Sequence, residues 1–250
     1  MHRLIPDVAE TTVADEVAKL DFVALAHEER PYTVTNFVLT LDGRATIAGR
    51  SGPIGSEADT EMLVGLRTRV DAVMIGAGTM RAERYGRIVG DPAKRAQRER
   101  DGLPADALMV LVSGRLDLPW DAPLFTEGEG EVIVCTTVDA DPPDTATPLH
   151  VIRHPEGVDL AALVKHLRSE RGVRALLCEG GPNLHAQLIE AGLVDELFVT
   201  HAPKLAGGDA PGLVEGLTEH ARDLELLSLL HEESSGELFA RYGVPEAVGT

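Results

Sequence analysis

The sequence predicts an α/β fold: one mostly parallel, doubly wound sheet that ends in a C-terminal antiparallel hairpin. Three observations predict it. Short apolar, β-branched runs alternate with stretches of helical periodicity from residue 32 to residue 201. Three of these runs end in glycine or small polar residues, at Gly76–Thr79, Ser113–Arg115 and Glu179–Asn183, where a strand hands over to a turn. Near the C-terminus the rhythm changes: Leu224 to His231 and Glu237 to Tyr242 flank Glu-Glu-Ser-Ser-Gly, a hairpin pattern.

Residues 1–30 read as an N-terminal helical arm, followed by a single domain over 31–250. Thr11 or Thr12 is placed to cap a helix from Val13 to Ala26, in which Val13, Val17, Leu20, Val23 and Ala24 share helical spacing. Pro31 ends it. Tyr32 to Leu41 is rich in β-branched and aromatic residues and reads as a central strand running into the turn Asp42-Gly43-Arg44. Ile47 to Gly55, with three glycines and Pro53, reads as a loop over the site. Ser56 is an N-cap, with Asp59 at the third helical position, for a helix to about Arg69.

Asp71 to Ile75, Ala107 to Val112, Glu131 to Thr137 and Leu149 to Arg153 read as further strands, with residues 81–100 as a basic linker. Asp139 to Pro148 reads as a loop. Leu160 to Arg171 has helical spacing and closes at Gly172. Ala175 to Cys178 is a buried strand, and a tight glycine turn then starts a helix to about Ala191. Gly192 closes that helix, and Glu196 to His201 returns as a strand.

The net charge of −18 makes duplex nucleic acid and anionic membranes poor partners. Residues 81–100 run against this balance, with seven basic side chains and three acidic ones. Cys135 and Cys178 both lie in apolar runs and read as reduced core thiols. The nine histidines form no H-E-x-x-H and no zinc-deaminase signature, so no metal is expected. No charged-then-apolar leader is visible, and no apolar run approaches the ~18 residues of a membrane span. The expected location is the cytoplasm.

In an open α/β sheet, ligands bind at the carboxyl ends of the strands. Gly180 and Gly181 allow positive φ and close approach, and Pro182 suits a first helical position. The helix start behind them suits a dinucleotide pyrophosphate, as does the second glycine turn at Gly76 and Gly78. Ser113 with Arg115 suits an adenosine 2′-phosphate, which favours NADPH over NADH. Plain βα turns and a solvated Arg115 are the ordinary alternatives. Among Asp42, Glu83 and Glu179, the last stands out, because a carboxylate between a buried strand and a glycine turn is costly without a purpose. Asp42 is the more routine turn residue, and His185 and His201 read as packed or solvated side chains.

Asn36-Phe-Val-Leu-Thr-Leu-Asp-Gly-Arg44, Gly76-Ala-Gly-Thr79, Glu179-Gly-Gly-Pro-Asn-Leu184, Gly192-Leu-Val-Asp-Glu-Leu197 and Ala202-Pro-Lys-Leu205 occur in this order. Together they resemble the reductase domain of the bifunctional riboflavin-biosynthesis deaminase/reductase, and stand-alone bacterial pyrimidine reductases, over about residues 31–243. The resemblance implies a dihydrofolate-reductase-like homodimer in which 31–250 is the NADPH-dependent reductase domain. It implies reduction of 5-amino-6-(5-phosphoribosylamino)uracil to the ribitylamino product, by hydride transfer to the opened sugar C1′.

By position, the resemblance sets NADPH against Pro53, Thr79, Glu83, Ser113 and Gly181 to Gln187, which include Pro182, Asn183 and Leu184. Thr40, at the end of the first central strand, joins this cofactor side. Ser51, Arg67 and Glu179 face the substrate, with Glu179 gripping the pyrimidine edge. Asp42 or a water is left to supply a proton. The family's Asp-Asp-Pro-x-Leu and following Arg are replaced by Glu83-Arg-Tyr-Gly-Arg87, so Arg87 is the candidate to hold the substrate phosphate with Arg67. Pro53 stands where a tryptophan is common. A dihydropterin or dihydrofolate reductase on the same fold, and a non-catalytic NADPH-binding protein, are the alternative readings.

Overall fold

The computed structural model describes residues 1–219 and 221–245; the remaining residues of the domain expected over 31–250 lie outside the described residues. Its strands are β1 (His2–Ile5), β2 (Ala9–Glu10), β3 (Tyr32–Thr40), β4 (Ala72–Gly76), β5 (Leu108–Val112) and β6 (Val132–Thr136). They continue with β7 (Leu149–Arg153), β8 (Ala175–Cys178), β9 (Glu196–Ala202), β10 (Glu225–Glu232) and β11 (Glu237–Gly243). All join one sheet in the order β2-β1-β10-β11-β9-β3-β8-β4-β5-β6-β7. From β9 to β7 every neighbour is parallel, and from β2 to β9 every neighbour is antiparallel. The parallel strands β4, β6 and β8 are buried almost throughout, which is why they read as unbroken apolar runs.

Among the described residues seven α-helices cover the sheet: α1 (Val13–Ala18), α2 (Glu57–Arg67), α3 (Ala77–Glu83), α4 (Pro92–Arg100), α5 (Pro123–Thr126), α6 (Leu160–Ser169) and α7 (Pro182–Glu190). Alternate strand residues point to opposite faces. Val73, Ile75, Val132 and Val134 pack with Val17 of α1, Leu66 of α2 and Phe125 of α5. Their neighbours Ala72, Met74, Ile133 and Cys135 pack with Leu163 of α6 and Leu188 of α7 on the other face. The sheet is therefore doubly wound, and both cysteines are free and buried.

The arm differs from the expected helix. Thr12 caps α1, accepting from the Asp15 N–H at 3.1 Å, but the helix stops at Ala18 and residues 23–25 form a 3₁₀ turn. Phe22 decides this. It is buried, 6.1 Å from the Tyr32 ring in a stack and 5.9 Å from Phe198 edge-on, and a continued helix would not deliver it there. Residues 1–10 are not helical either: β1 pairs with β10, and the arm extends the sheet.

The basic linker also contains a helix. Asp91 caps α4 with Pro92 at its first position. The buried residue of α4 is Arg98, which donates to the carbonyls of Pro104, Arg67 and Val70. An apolar stripe is absent, so periodicity did not reveal it.

Asp195 ties the arm to the sheet. Its carboxylate accepts from Arg30 at 2.7 and 2.8 Å, from the Thr33 N–H at 2.7 Å and from His27 at 2.9 Å. Replacing it strands several donors in a half-buried site. Asp195→Asn should lower unfolding stability by about 2 kcal/mol or more in urea titration.

Candidate active site

The carboxyl ends of β3, β4 and β8 open into a cleft of about 710 Å³. The loop between β3 and α2, the two helix starts after β4 and β8, and the segment after β5 enclose it.

At one end the two glycine turns face each other. The Gly76 N–H donates to the Gly180 carbonyl at 2.7 Å, and a cis peptide joins Gly180 to Gly181. Gly180 has φ +97, and a Cβ there would come within 3.1 Å of the Phe37 ring. A Cβ on Gly181 would lie 3.1 Å from Thr79 Oγ1. The N-caps of α3 and α7 are Gly76 and Gly181, and neither has a side-chain cap bond. The first-turn N–H groups of α7 thus face the cleft wall uncapped, at the positive end of the helix dipole. That geometry fits a pyrophosphate.

At the other end sits Glu179, whose side chain is 3% exposed. Arg67, at the last turn of α2, holds it in a fork with Nε–Oε1 and Nη2–Oε2 both at 2.7 Å. The third Arg67 nitrogen donates to the Ile88 carbonyl at 3.0 Å, and the guanidinium carbon lies 5.5 Å from the Tyr85 ring centre. Tyr85 donates its hydroxyl to Oε2 at 3.3 Å. Burial works against the Arg67 charge, but Glu179 more than offsets it, so the guanidinium pKa rises above its ordinary value. Burial and then the Glu179 charge push the Tyr85 hydroxyl up, and it stays a neutral donor. Glu179 is thereby a fixed acceptor, suited to a substrate N–H.

A family model described as the RibD C-terminal domain matches residues 31–235. The chain belongs to the RibD C-terminal domain family. It is 32% identical over 225 residues to a Methanothermobacter thermautotrophicus protein, covering 86% of this chain and 99% of that one. It is 31% identical over 194 residues to an Archaeoglobus fulgidus protein, covering 75% and 87% respectively. Both are named 2,5-diamino-6-ribosylamino-4(3H)-pyrimidinone 5′-phosphate reductase. In fold it matches a pyrimidine reductase-like protein from Corynebacterium diphtheriae with TM-score 0.79, at 24% identity and 95% and 100% coverage. The chain is an oxidoreductase of this family with the dihydrofolate-reductase-like fold, and β1, β2 and α1 precede the matched region.

In this RibD-type domain the cleft brings together Ser51, Gly76, Gly78, Thr79, Glu83, Glu179, Gly181, Pro182, Asn183 and Leu184. Glu83 and Ser51, expected to touch cofactor and substrate, touch each other: Glu83 accepts from the Ser51 N–H at 3.1 Å and hydroxyl at 3.0 Å. Gly180 lies just behind the lining, bonded to Gly76.

Other expected contacts fall outside the lining. Thr40 is buried and donates to Asp42 at 2.6 Å. Asp42 braces a turn, accepting also from the N–H groups of Ala206 and Gly207 at 3.1 and 2.7 Å. These bonds, that of Thr40 foremost, hold its pKa down at about 2, so Asp42, expected to supply a proton, is an ionised brace of the turn outside the lining. Arg67, expected to face the substrate, stands behind Glu179 and outside the lining. Arg87, expected to hold the substrate phosphate, lies outside the lining with its guanidinium held by Asp106 at 2.8 and 3.1 Å and by Glu129. Ser113 is buried in its turn, and Val112 and Gly114 line the cleft in its place. Pro53 is exposed, its carbonyl taken by Lys204. Arg115 is exposed beside Gly114 and makes no hydrogen bond or ion pair among the described residues.

Among the lining residues that escaped the sequence reading, Tyr85 and Asp59 carry ionisable side chains. Tyr85 stands within the stretch that departs from the family pattern, and that departure was its only signal. Asp59 was read as a helix-start residue, but its carboxyl turns into the cleft wall. Among the described residues the lining carries Asp59, Glu83 and Glu179 and no Lys, Arg or His.

Removing Arg67 leaves a buried carboxylate without its cation. Arg67→Met should cost about 3 kcal/mol of unfolding stability, readable by denaturant titration, and should loosen substrate binding through Glu179.

Proposed function

We propose that this reductase uses NADPH to convert 5-amino-6-(5-phosphoribosylamino)uracil to its ribitylamino product in riboflavin biosynthesis. The observation that carries the reading is one cleft holding two facing glycine helix starts at one end and the Arg67–Glu179 fork at the other. The uncapped start of α7 and the bare backbone of Gly181 fit the cofactor's pyrophosphate. Thr79 lies beside them, and Arg115 is free to meet a 2′-phosphate. NADPH, when bound, supplies the hydride.

The chain's own residues bind, orient and shield. Glu179, held by Arg67 and Tyr85, accepts a pyrimidine N–H and sets the angle of the ring. The Ser51–Glu83 contact draws the β3–α2 loop toward α3, and Lys204 anchors the same loop through the Pro53 and Ile54 carbonyls at 3.0 and 2.7 Å. The names of the relatives make the 2,5-diamino compound the second substrate to assay. A homodimer in the cytoplasm is the working assembly; no described helix is long and apolar enough to cross a membrane.

One observation favours a second reading, a dihydropterin or dihydrofolate reductase. The cleft lining holds no basic side chain for a substrate phosphate, and Arg87 is occupied elsewhere. Anaerobic NADPH oxidation with each freshly prepared pyrimidine phosphate, and with dihydrofolate, decides the matter. Turnover of the pyrimidine is expected, and turnover of dihydrofolate alone would overturn the first reading.

Gly181→Asp should abolish NADPH binding in a fluorescence titration, since the new side chain meets Thr79 and repels phosphate. Arg115→Ala should cut the preference for NADPH over NADH about tenfold in Kd, roughly the worth of one charge-assisted contact.

A further inference from the structure

Three carboxyls reach the cleft wall, and two of them are already engaged. Arg67 holds Glu179, and Ser51 donates twice to Glu83. Asp59 is different: its Oδ1 is buried and has no hydrogen-bond partner. The backbone of the β3–α2 loop lies directly against this carboxyl, so that a Cβ on Gly55 would fall 2.1 Å from Oδ2. A helix start and a glycine on the facing loop thus hold the carboxyl in place at the cleft wall, with one buried oxygen unpartnered.

We propose that Asp59 is the proton donor of the reduction, delivering its carboxyl proton to the substrate nitrogen as hydride reaches C1′. This rests on the reductase reading above. In the opened form of the substrate, C1′ is doubly bonded to the nitrogen borne by the pyrimidine. Hydride from the dihydronicotinamide forms the new C1′–H bond, and the π pair of C1′=N moves to nitrogen. Nitrogen takes the Asp59 proton, the nicotinamide is oxidised and the substrate reduced. The Asp59 carboxylate then takes one proton from water. The step consumes one hydride and one proton, as imine reduction requires.

The surroundings suit the role. The Thr200 hydroxyl on β9 lies toward Asp59 and favours the charged form. Glu237 on β11, itself bound by the Ser56 and Ser235 hydroxyls, opposes that form, while Lys204 after β9 favours it weakly. Burial is the largest influence, and the balance leaves the group at about 6. A general acid works best with a pKa near the working pH. The other candidates do not compete: Asp42 lies outside the lining and is ionised, and burial makes Tyr85 reluctant to release its proton.

The test uses the full chain with the pyrimidine phosphate and NADPH, and measures kcat and KM against pH. Wild type should lose kcat/KM about tenfold per pH unit above the Asp59 pKa. Asp59→Asn should lower kcat by about 10²–10⁴-fold with KM and the NADPH Kd little changed. Thr200→Val removes a bond to the charged form and should move the alkaline limb up. Glu237→Gln removes a negative neighbour and should move it down. A purely structural role predicts neither shift.

A second readout needs no turnover. The folded pKa of Asp59 lies above its unfolded value of 3.8, so the native state keeps a proton that the unfolded chain has lost. Stability should therefore fall as pH rises from 3.8 to about 6, and Asp59→Asn should remove that fall. The Tm advantage of the variant must widen across this window. Wild type that fails to turn over the pyrimidine phosphate overturns the reductase reading and this inference together. Working wild type beside an Asp59→Asn enzyme with normal kcat and pH profile overturns the proton role alone. So does a variant that raises only KM, or a flat Tm difference.

Discussion

The Arg67–Glu179 fork is the joint on which the site depends. It fastens the end of α2 to the turn between β8 and α7, two elements from distant parts of the chain. Behind it, buried Arg98 grips the Arg67 carbonyl and the Val70 carbonyl, capping α2 with a cation where the helix dipole is negative. A buried ion pair of this kind adds little net stability over apolar packing, but losing one partner is severe. Its worth here is geometric. It fixes a carboxylate at a strand end with both oxygens oriented, beside the turn whose glycines must admit a ligand.

Around that joint the cleft divides its work by charge. Backbone N–H groups at the start of α7 offer partial positive charge without any cationic side chain. The wall beyond them is acidic, with Glu179, Glu83 and Asp59 in three different states of engagement. Glu179 is clamped, Glu83 ties the overlying loop to α3, and Asp59 keeps a bare oxygen. Three like groups in one cleft thus serve orientation, closure and proton supply, because their neighbours differ.

Strands β3 to β11 with their hairpin, and helices α2, α6 and α7, were legible, since burial on both faces writes itself as apolar runs and caps as Ser or Asp before them. Ser56 caps α2 as read, accepting from the Ala58 N–H at 3.1 Å. The glycine turns and Glu179 were legible as well. α4 was not, because its buried residue is an arginine satisfied by carbonyls. The helix expected to reach Ala26 fails because Phe22 gains more from the Tyr32 and Phe198 rings than local propensity supplies.

The site residues separate along the same line. The sequence alone determined which strand ends carry glycine, and hence where a backbone can approach an anion, because that freedom belongs to the residue itself. It also carried the family pattern that names the chemistry. Which charged side chain faces the cleft was decided only by tertiary packing. Asp42 and Arg87 look like site residues in one dimension, yet backbone N–H groups claim the first and Asp106 the second. Asp59 looks like a routine helix start, yet burial in the folded chain, helped by the charge of Glu237 more than a hundred residues away, lifts its pKa to about 6. The role of an ionisable group follows from its neighbours, and those neighbours exist only once the chain has folded.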